Sequence, residues 1–300
     1  MGVVSPSRRA GVIVGAALSL WLGAAWGACS RAGAGEVVIT ERASDGYNVF
    51  VVEDDEGIRR LRFELNGVDQ SAVKPGDPEH LVFAYMRTLV TALALRPAPE
   101  RVLVIGIGGG SFPMFMRKHL PKVHIDAVDI DPVVVGVARD ELGFREDPRL
   151  VVHITDGRRF VEDAQVTYDL IVLDAYGQDN IPIHLATRQF LDAVKQRLSP
   201  GGLVAANLWS EHANAKYLAM LRTYEAVFPE VHVVAPPQSE SRIVLAFRDP
   251  EALSHEALVQ RANALKRSWK LRFDLGKLVD RGHAGPGQLP LGHLPLEDGP

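Results

Sequence analysis

The sequence predicts an α/β chain: a Rossmann-like, doubly wound sheet of seven strands, preceded by a small antiparallel β unit. Three observations predict it. Val102 to Ile105 is a short β-branched apolar run that breaks into Gly106, Gly108, Gly109 and Gly110. A continuous apolar run of that length suits a strand buried on both faces, and glycines after it let the backbone turn sharply beside a ligand. A second strand, His124 to Val128, ends in Asp129-Ile130-Asp131-Pro132. It puts an acid about 20 residues past the glycines, where a ribose is bound in such sheets. Ahead of both, residues 36–75 alternate strand-like runs with turn signals.

Composition bounds the rest. Three hundred residues, 47% of them apolar, suffice for one or two domains with a sizeable core. A formal charge of −4 leaves no electrostatic footprint for nucleic acid. Cys29 is the only cysteine, so neither an intramolecular disulfide nor a cysteine-based zinc site can form.

In chain order, Arg8 and Arg9 precede an apolar stretch from Gly11 to Ala28, with small residues after it. This resembles a secretory signal, with cleavage candidates at Ala25-Trp26-Gly27 and Ala32-Gly33-Ala34. An uncleaved membrane anchor is the alternative, and residues 1–34 are set apart from the fold. The expected location is periplasmic or membrane-anchored, the alternative cytoplasmic. Val37 to Thr40, Tyr47 to Glu53 and Arg60 to Leu65 are the strands of the small β unit, with Asn66-Gly67 a hairpin turn. Gln70 and Ser71 follow that turn, as polar loop residues or as a lip over a ligand cleft. A helix spans Pro78 to Leu95, with Leu81, Tyr85, Leu89 and Leu93 on one face.

The main domain, residues 78–248, continues with a helix from Phe112 to Leu120, despite Pro113 near its start, and another from Val133 to Leu142. The third strand, Leu150 to Ile154, ends at Thr155-Asp156-Gly157. There a carboxylate followed by glycine suits an adenine amino group, or merely caps the helix Arg158 to Asp163. The fourth strand, Asp169 to Leu173, delivers Asp174 to the carboxyl edge, where open α/β sheets bind ligands; capping the next loop is its other use. Gly177 to His184 is a loop long enough to cover the site. A helix, Thr187 to Leu198, and the turn Ser199-Pro200-Gly201-Gly202 lead to the fifth strand, Leu203 to Asn207. Val231 to Ala235 and Ser241 to Phe247, joined through Pro236-Pro237, complete an antiparallel edge. Residues 250–281 read as a C-terminal helix, and 282–300, rich in Gly and Pro, as a flexible tail. Glycines after strand one, an acid after strand two, Asp-Gly after strand three and an acid after strand four point to S-adenosylmethionine or a derivative. A nicotinamide-binding domain usually carries G-x-G-x-x-G, whereas this run continues Gly110-Ser111-Phe112-Pro113.

VLVIGIGGG, AVDIDP, DPRLVVHITDGRRFV, YDLIVLDAY and LSPGGLVAANL resemble the spermidine synthases, or polyamine aminopropyltransferases, over roughly residues 40–248. The resemblance is closest to a spermidine synthase-like branch. It implies a β-hairpin domain on a methyltransferase-like α/β domain, a homodimer, and no metal. It implies decarboxylated S-adenosylmethionine as donor of an aminopropyl group to a small amine such as putrescine. Gly106, Gly108 and Gly110 would then border the cofactor, Asp129 hold its ribose, and Asp156 with Gly157 its adenine. Asp174 would accept the proton of the amine, while Tyr176, Asp179 and Gln70 would line the substrate side. Two acids that usually bind the diamine are replaced by Gly109 and Gly177, so the amine half is depleted. A methyltransferase using S-adenosylmethionine and a non-catalytic nucleoside-binding protein are the rivals.

Overall fold

A computed structural model describes residues 35–177, 181–290 and 293–299. The signal-like segment 1–34 and Asp179 lie outside the described residues.

The N-terminal unit is a four-stranded antiparallel sheet in the order β1 (Val37–Ala43), β2 (Asn48–Glu53), β3 (Arg59–Arg62) and β4 (Asp69–Val73). Gln70 and Ser71 therefore sit in a strand, not in a loop, because the turn at Asn66-Gly67 returns the chain to pair β4 with β3. Leu61 of β3 is fully buried beside Val49 and Val51 of β2.

The expected helix over 78–95 is shorter and split, into α1 (Ala84–Leu89) and α2 (Thr91–Leu95). Residues 77–80 turn instead: the N–H of Asp77 donates to the carbonyl of Lys74 and that of His80 to Asp77.

The large sheet has eight strands among the described residues, in the order β12-β10-β11-β9-β8-β5-β6-β7. They are β5 (Arg101–Ile105), β6 (His124–Asp129), β7 (Leu150–Ile154), β8 (Tyr168–Leu173), β9 (Leu198–Trp209), β10 (Glu230–Val234), β11 (Ser241–Phe247) and β12 (His283–Ala284). Strands β5 to β9 pair in parallel, and β9, β11, β10 and β12 antiparallel. The eighth strand corrects the expected seven. It is two residues long and too short to leave a periodic signal. Ser199 to Gly202 do not end an element either. They bulge out of β9, whose pairing with β8 jumps from Tyr168↔Leu198 to Leu170↔Leu203.

Successive residues of β5 point to opposite faces. Val102 and Val104 enter one core with Phe115 and Met116 of α3 (Ser111–His119) and Leu258 and Leu265 of α8 (His255–Trp269). Leu103 and Ile105 enter the other. That second core holds Val161 of α5 (Gly157–Asp163), Phe190 of α6 (Arg188–Gln196) and Leu221 of α7 (Tyr217–Val227). Such two-sided burial is what an uninterrupted apolar strand requires. Helix α4 (Pro132–Asp140) serves two layers: Val135 and Ala138 face the large sheet, Val134 and Val137 the small one.

The C-terminal helix is in fact two, α8 and α9 (Leu275–Gly282), broken at Lys270, which takes the left-handed conformation with φ 53°. The tail beyond them is packed along its described parts. Leu289 is buried and Leu296 lies against the α6–α7 core. Among the described residues no helix is long and apolar enough to cross a membrane.

Candidate active site

A cavity of about 350 Å³ opens at the carboxyl ends of β5, β6, β7 and β8. The loops that follow parallel strands splay apart there, which is where such sheets bind ligands. Of the residues that the sequence singled out, Gly106, Gly108, Asp129, Asp156, Gly157, Asp174, Tyr176 and Gln70 border the cavity. Gly110 is the exception. It caps α3 against the ring of Phe144 and borders a separate cavity on the other side of the glycine turn.

Gly106 is fixed by a close approach. Its φ is 92°, and a Cβ there would stand 2.2 Å from the carbonyl oxygen of Asp174. The turn after β5 can thus lie against the end of β8 only without a side chain. Asp129 holds the same turn from the other side. Its Oδ2 accepts the N–H of Ile107 at 2.9 Å and its Oδ1 that of Asp131 at 3.0 Å. Burial pushes its carboxyl above the ordinary range, with those N–H donors opposing. Asp156 caps α5: its Oδ1 accepts the N–H of Arg159 at 3.0 Å, and its Oδ2 lies 2.8 Å from His184 Nε2. Burial acts to raise this carboxyl too, but the Arg159 N–H and His184 outweigh it and hold it low. The capping role and the site position therefore coexist in one residue.

Asp174 differs from both. Burial pushes its carboxyl up to about 7, although Asn207 and Tyr85 stabilise the charged form. Asn207 Nδ2 donates to Oδ1 at 2.9 Å and the Tyr85 hydroxyl to Oδ2 at 3.2 Å. Among the described residues no donor reaches the buried Asn207 Oδ1. Tyr176 donates to the carbonyl of Asn207 at 3.0 Å and stacks on Trp209 with ring centroids 4.7 Å apart.

Several contributors were not singled out by the sequence. Tyr85 reads there as one member of an apolar helix face, yet its hydroxyl reaches Asp174. Asn207 and Trp209 end β9 at the same carboxyl edge as Asp174, a positional signal that applies to them equally. The small sheet also belongs to the site. Ser71 Oγ accepts the N–H of Gly109 at 2.9 Å, and the hydroxyls of Ser44 and Tyr47 donate to Asp131 Oδ2. Asp131 in turn caps α4 through the N–H of Val133, at 2.7 Å. A Cβ on Gly109 would meet Ser71 Oγ at 2.6 Å, so a larger residue there would have to displace Ser71.

The residues fit a nucleoside. Carboxylates with remaining lone pairs stand after β6 and β7, a side-chain-free turn lies between, and Ile130 offers an apolar surface that is 67% exposed on the cavity rim. Among the described residues no cluster of His, Cys, Asp and Glu is arranged to hold a metal ion.

A profile of the Spermine/spermidine synthase domain matches residues 82–244. A polyamine aminopropyltransferase of Vibrio vulnificus is 34% identical over 237 residues, 77% of this chain and 79% of its own length. A crystal structure of a probable spermidine synthase from Corynebacterium glutamicum shares the fold with a TM-score of 0.67, at 19% identity, over 87% of this chain and 96% of that one. Human methyltransferase-like protein 13, solved in complex with SAH, superposes with a TM-score of 0.58 at 31% identity, over 63% of this chain and 93% of that one.

Proposed function

Because the chain belongs to the spermine/spermidine synthase family, we propose that it is an aminopropyltransferase of polyamine biosynthesis. The donor is decarboxylated S-adenosylmethionine and the acceptor a small amine such as putrescine. The observation that carries this reading is Asp174: a half-buried carboxyl pushed up to about 7, held by Tyr85 and Asn207 at the carboxyl edge of β8, in one cavity with Asp129 and Asp156.

Asp129 and Asp156 would hold the ribose and the adenine, and Gly106 lets the backbone lie close beside them. When bound, the donor supplies a sulfonium whose neighbouring carbon is open to attack. The amine nitrogen forms a bond to that carbon as the carbon–sulfur bond breaks, and methylthioadenosine leaves with the electron pair. Asp174 orients the amine and takes its proton. A base with a pKa near the working pH is matched to that task. Since the sulfonium is already a good leaving group, most of the acceleration comes from positioning. Tyr176 and Trp209 wall the cavity beside Asp174.

A second reading, methyl transfer from S-adenosylmethionine, is favoured by the 31% identity to the human methyltransferase-like protein. Incubation of the purified protein with a diamine panel and each donor separates the two. Methylthioadenosine formed only from the decarboxylated donor supports aminopropyl transfer. S-adenosylhomocysteine formed from S-adenosylmethionine supports the second reading.

A further inference from the structure

Arg158, the second residue of α5, has every arm of its guanidinium engaged. Its Nε donates to Glu162 at 2.8 Å, one turn along the helix. Its two terminal nitrogens meet both oxygens of Asp298 at 2.7 and 2.6 Å, in the planar fork that arginine presents to a carboxylate. Nη1 also approaches the carbonyl of His184 at 3.4 Å. His184 lies in a single 3-10 turn, Ile183–Leu185, on the cavity wall, and its ring fixes Asp156.

The tail that supplies Asp298 is itself fastened. The N–H of Leu296 donates to Thr223 at 2.9 Å, and its carbonyl accepts the N–H of Arg188 at 2.7 Å. Glu297 pairs with Arg188 at 2.9 Å, and the N–H of Asp298 donates to Gln189 at 3.0 Å. A lone surface ion pair is worth little. Here the carboxylate is delivered by an ordered backbone to a guanidinium that is already aligned, so little side-chain freedom remains to be lost on pairing. Arg158 holds the Asp298 carboxyl down to about 2, with Thr187 adding to the effect, so the contact keeps its charge at any physiological pH.

We propose that the C-terminal tail is part of the donor site: Asp298 is a positioning residue that acts through Arg158 and His184 to hold the Asp156 carboxylate for the nucleoside. This rests on the reading above, in which Asp156 receives the adenine. Asp298 does not face the cavity, and its side chain is one-third exposed, so its loss leaves both cores intact and acts on the aim of Asp156.

The test is calorimetric titration of the full chain with methylthioadenosine. Asp298→Asn is expected to weaken binding roughly three- to fivefold, with little change in thermal midpoint, and Asp298→Glu to restore most of it. In steady state Asp298→Asn should raise KM for the donor and leave kcat nearly unchanged. In a His184→Ala background, Asp298→Asn should have no further effect. Wild-type affinity in Asp298→Asn, or the same loss with and without His184, overturns the inference while the proposed function stands. A wild-type protein that binds no nucleoside overturns both.

Discussion

Asp174 combines two demands that pull against each other. Desolvation lets it carry a proton up to about pH 7, yet on the proposed mechanism it must give that proton up to act as a base. On the proposed mechanism kcat/KM therefore rises with pH through a limb near 7. Asp174→Asn should lower turnover by about 10²–10⁴-fold and abolish that limb, with methylthioadenosine affinity little changed. The same shift sets a stability cost. A carboxyl whose folded pKa is raised binds its proton more tightly in the folded state than in the unfolded one. Stability thus falls between pH 4 and 7, and the full cost, up to about 4 kcal/mol, is present above pH 7. Asp174→Asn should stabilise the fold by about 1–3 kcal/mol at pH 8, the amide remaining a half-buried polar group, and by nothing at pH 4. Denaturant melts at the two pH values decide this; equal effects at both would refute it. Asp129, Asp156 and Asp174 were legible in the sequence because each ends an apolar run whose length and flanks define a strand. Tyr85 and Asn207 were not, because one polar atom on an otherwise apolar pattern reads the same whether it fills a core or faces a ligand.

At the scale of elements, the glycine turn between β5 and α3 is the tightest constraint. Gly106→Ala combines a disfavoured φ with a Cβ 2.2 Å from the backbone of Asp174, and neither strand end can retreat without breaking the sheet. We expect a loss of about 3 kcal/mol or more, read from the midpoint of chemical denaturation. A variant as stable as wild type would show that the turn is looser than described. Strands and glycine turns were readable here because period and punctuation coincide. Where punctuation misled, geometry explains it. Pro200 and the two glycines after it signal a turn but form a bulge, since β9 resumes its pairing with β8 at Leu203. Lys270 breaks α8 without any glycine to announce it. Helix α7 went unassigned although Tyr217, Met220, Leu221, Tyr224 and Val227 follow helical spacing and are all buried. Their period was the signal.

Over the whole molecule, the C-terminal helices are stapled to the sheet by one buried acid. Glu230, at the start of β10, accepts the N–H groups of Glu251, Ala252 and Leu253 at 2.6 to 2.8 Å, and His232 Nε2 lies 2.8 Å from it. His232 meets His283 of β12, which meets His255 of α8, so the staple extends through three stacked imidazoles. Glu230→Ala leaves those donors without a partner and should cost about 3–5 kcal/mol. A near-neutral result in a denaturant melt would mean that water replaces the carboxylate. The tail was unreadable for a related reason: its order comes from α6, α7 and Arg158, partners more than 70 residues distant that no local pattern displays.

On the proposed mechanism the raised carboxyl of Asp174 also links the protein's proton count to its occupancy. A group half-charged near neutrality responds to any charge that settles beside it. A cationic donor should expel a fraction of a proton near pH 7, whereas uncharged methylthioadenosine should expel none through electrostatic attraction. Heats of binding measured in buffers of different ionisation enthalpy will then diverge for the cation and agree for the neutral product. By the same linkage the cation should bind more tightly as pH rises, and its arrival should favour the ionised form of Asp174. On the proposed mechanism, donor first and amine second is the order of addition in which the base is ready on time.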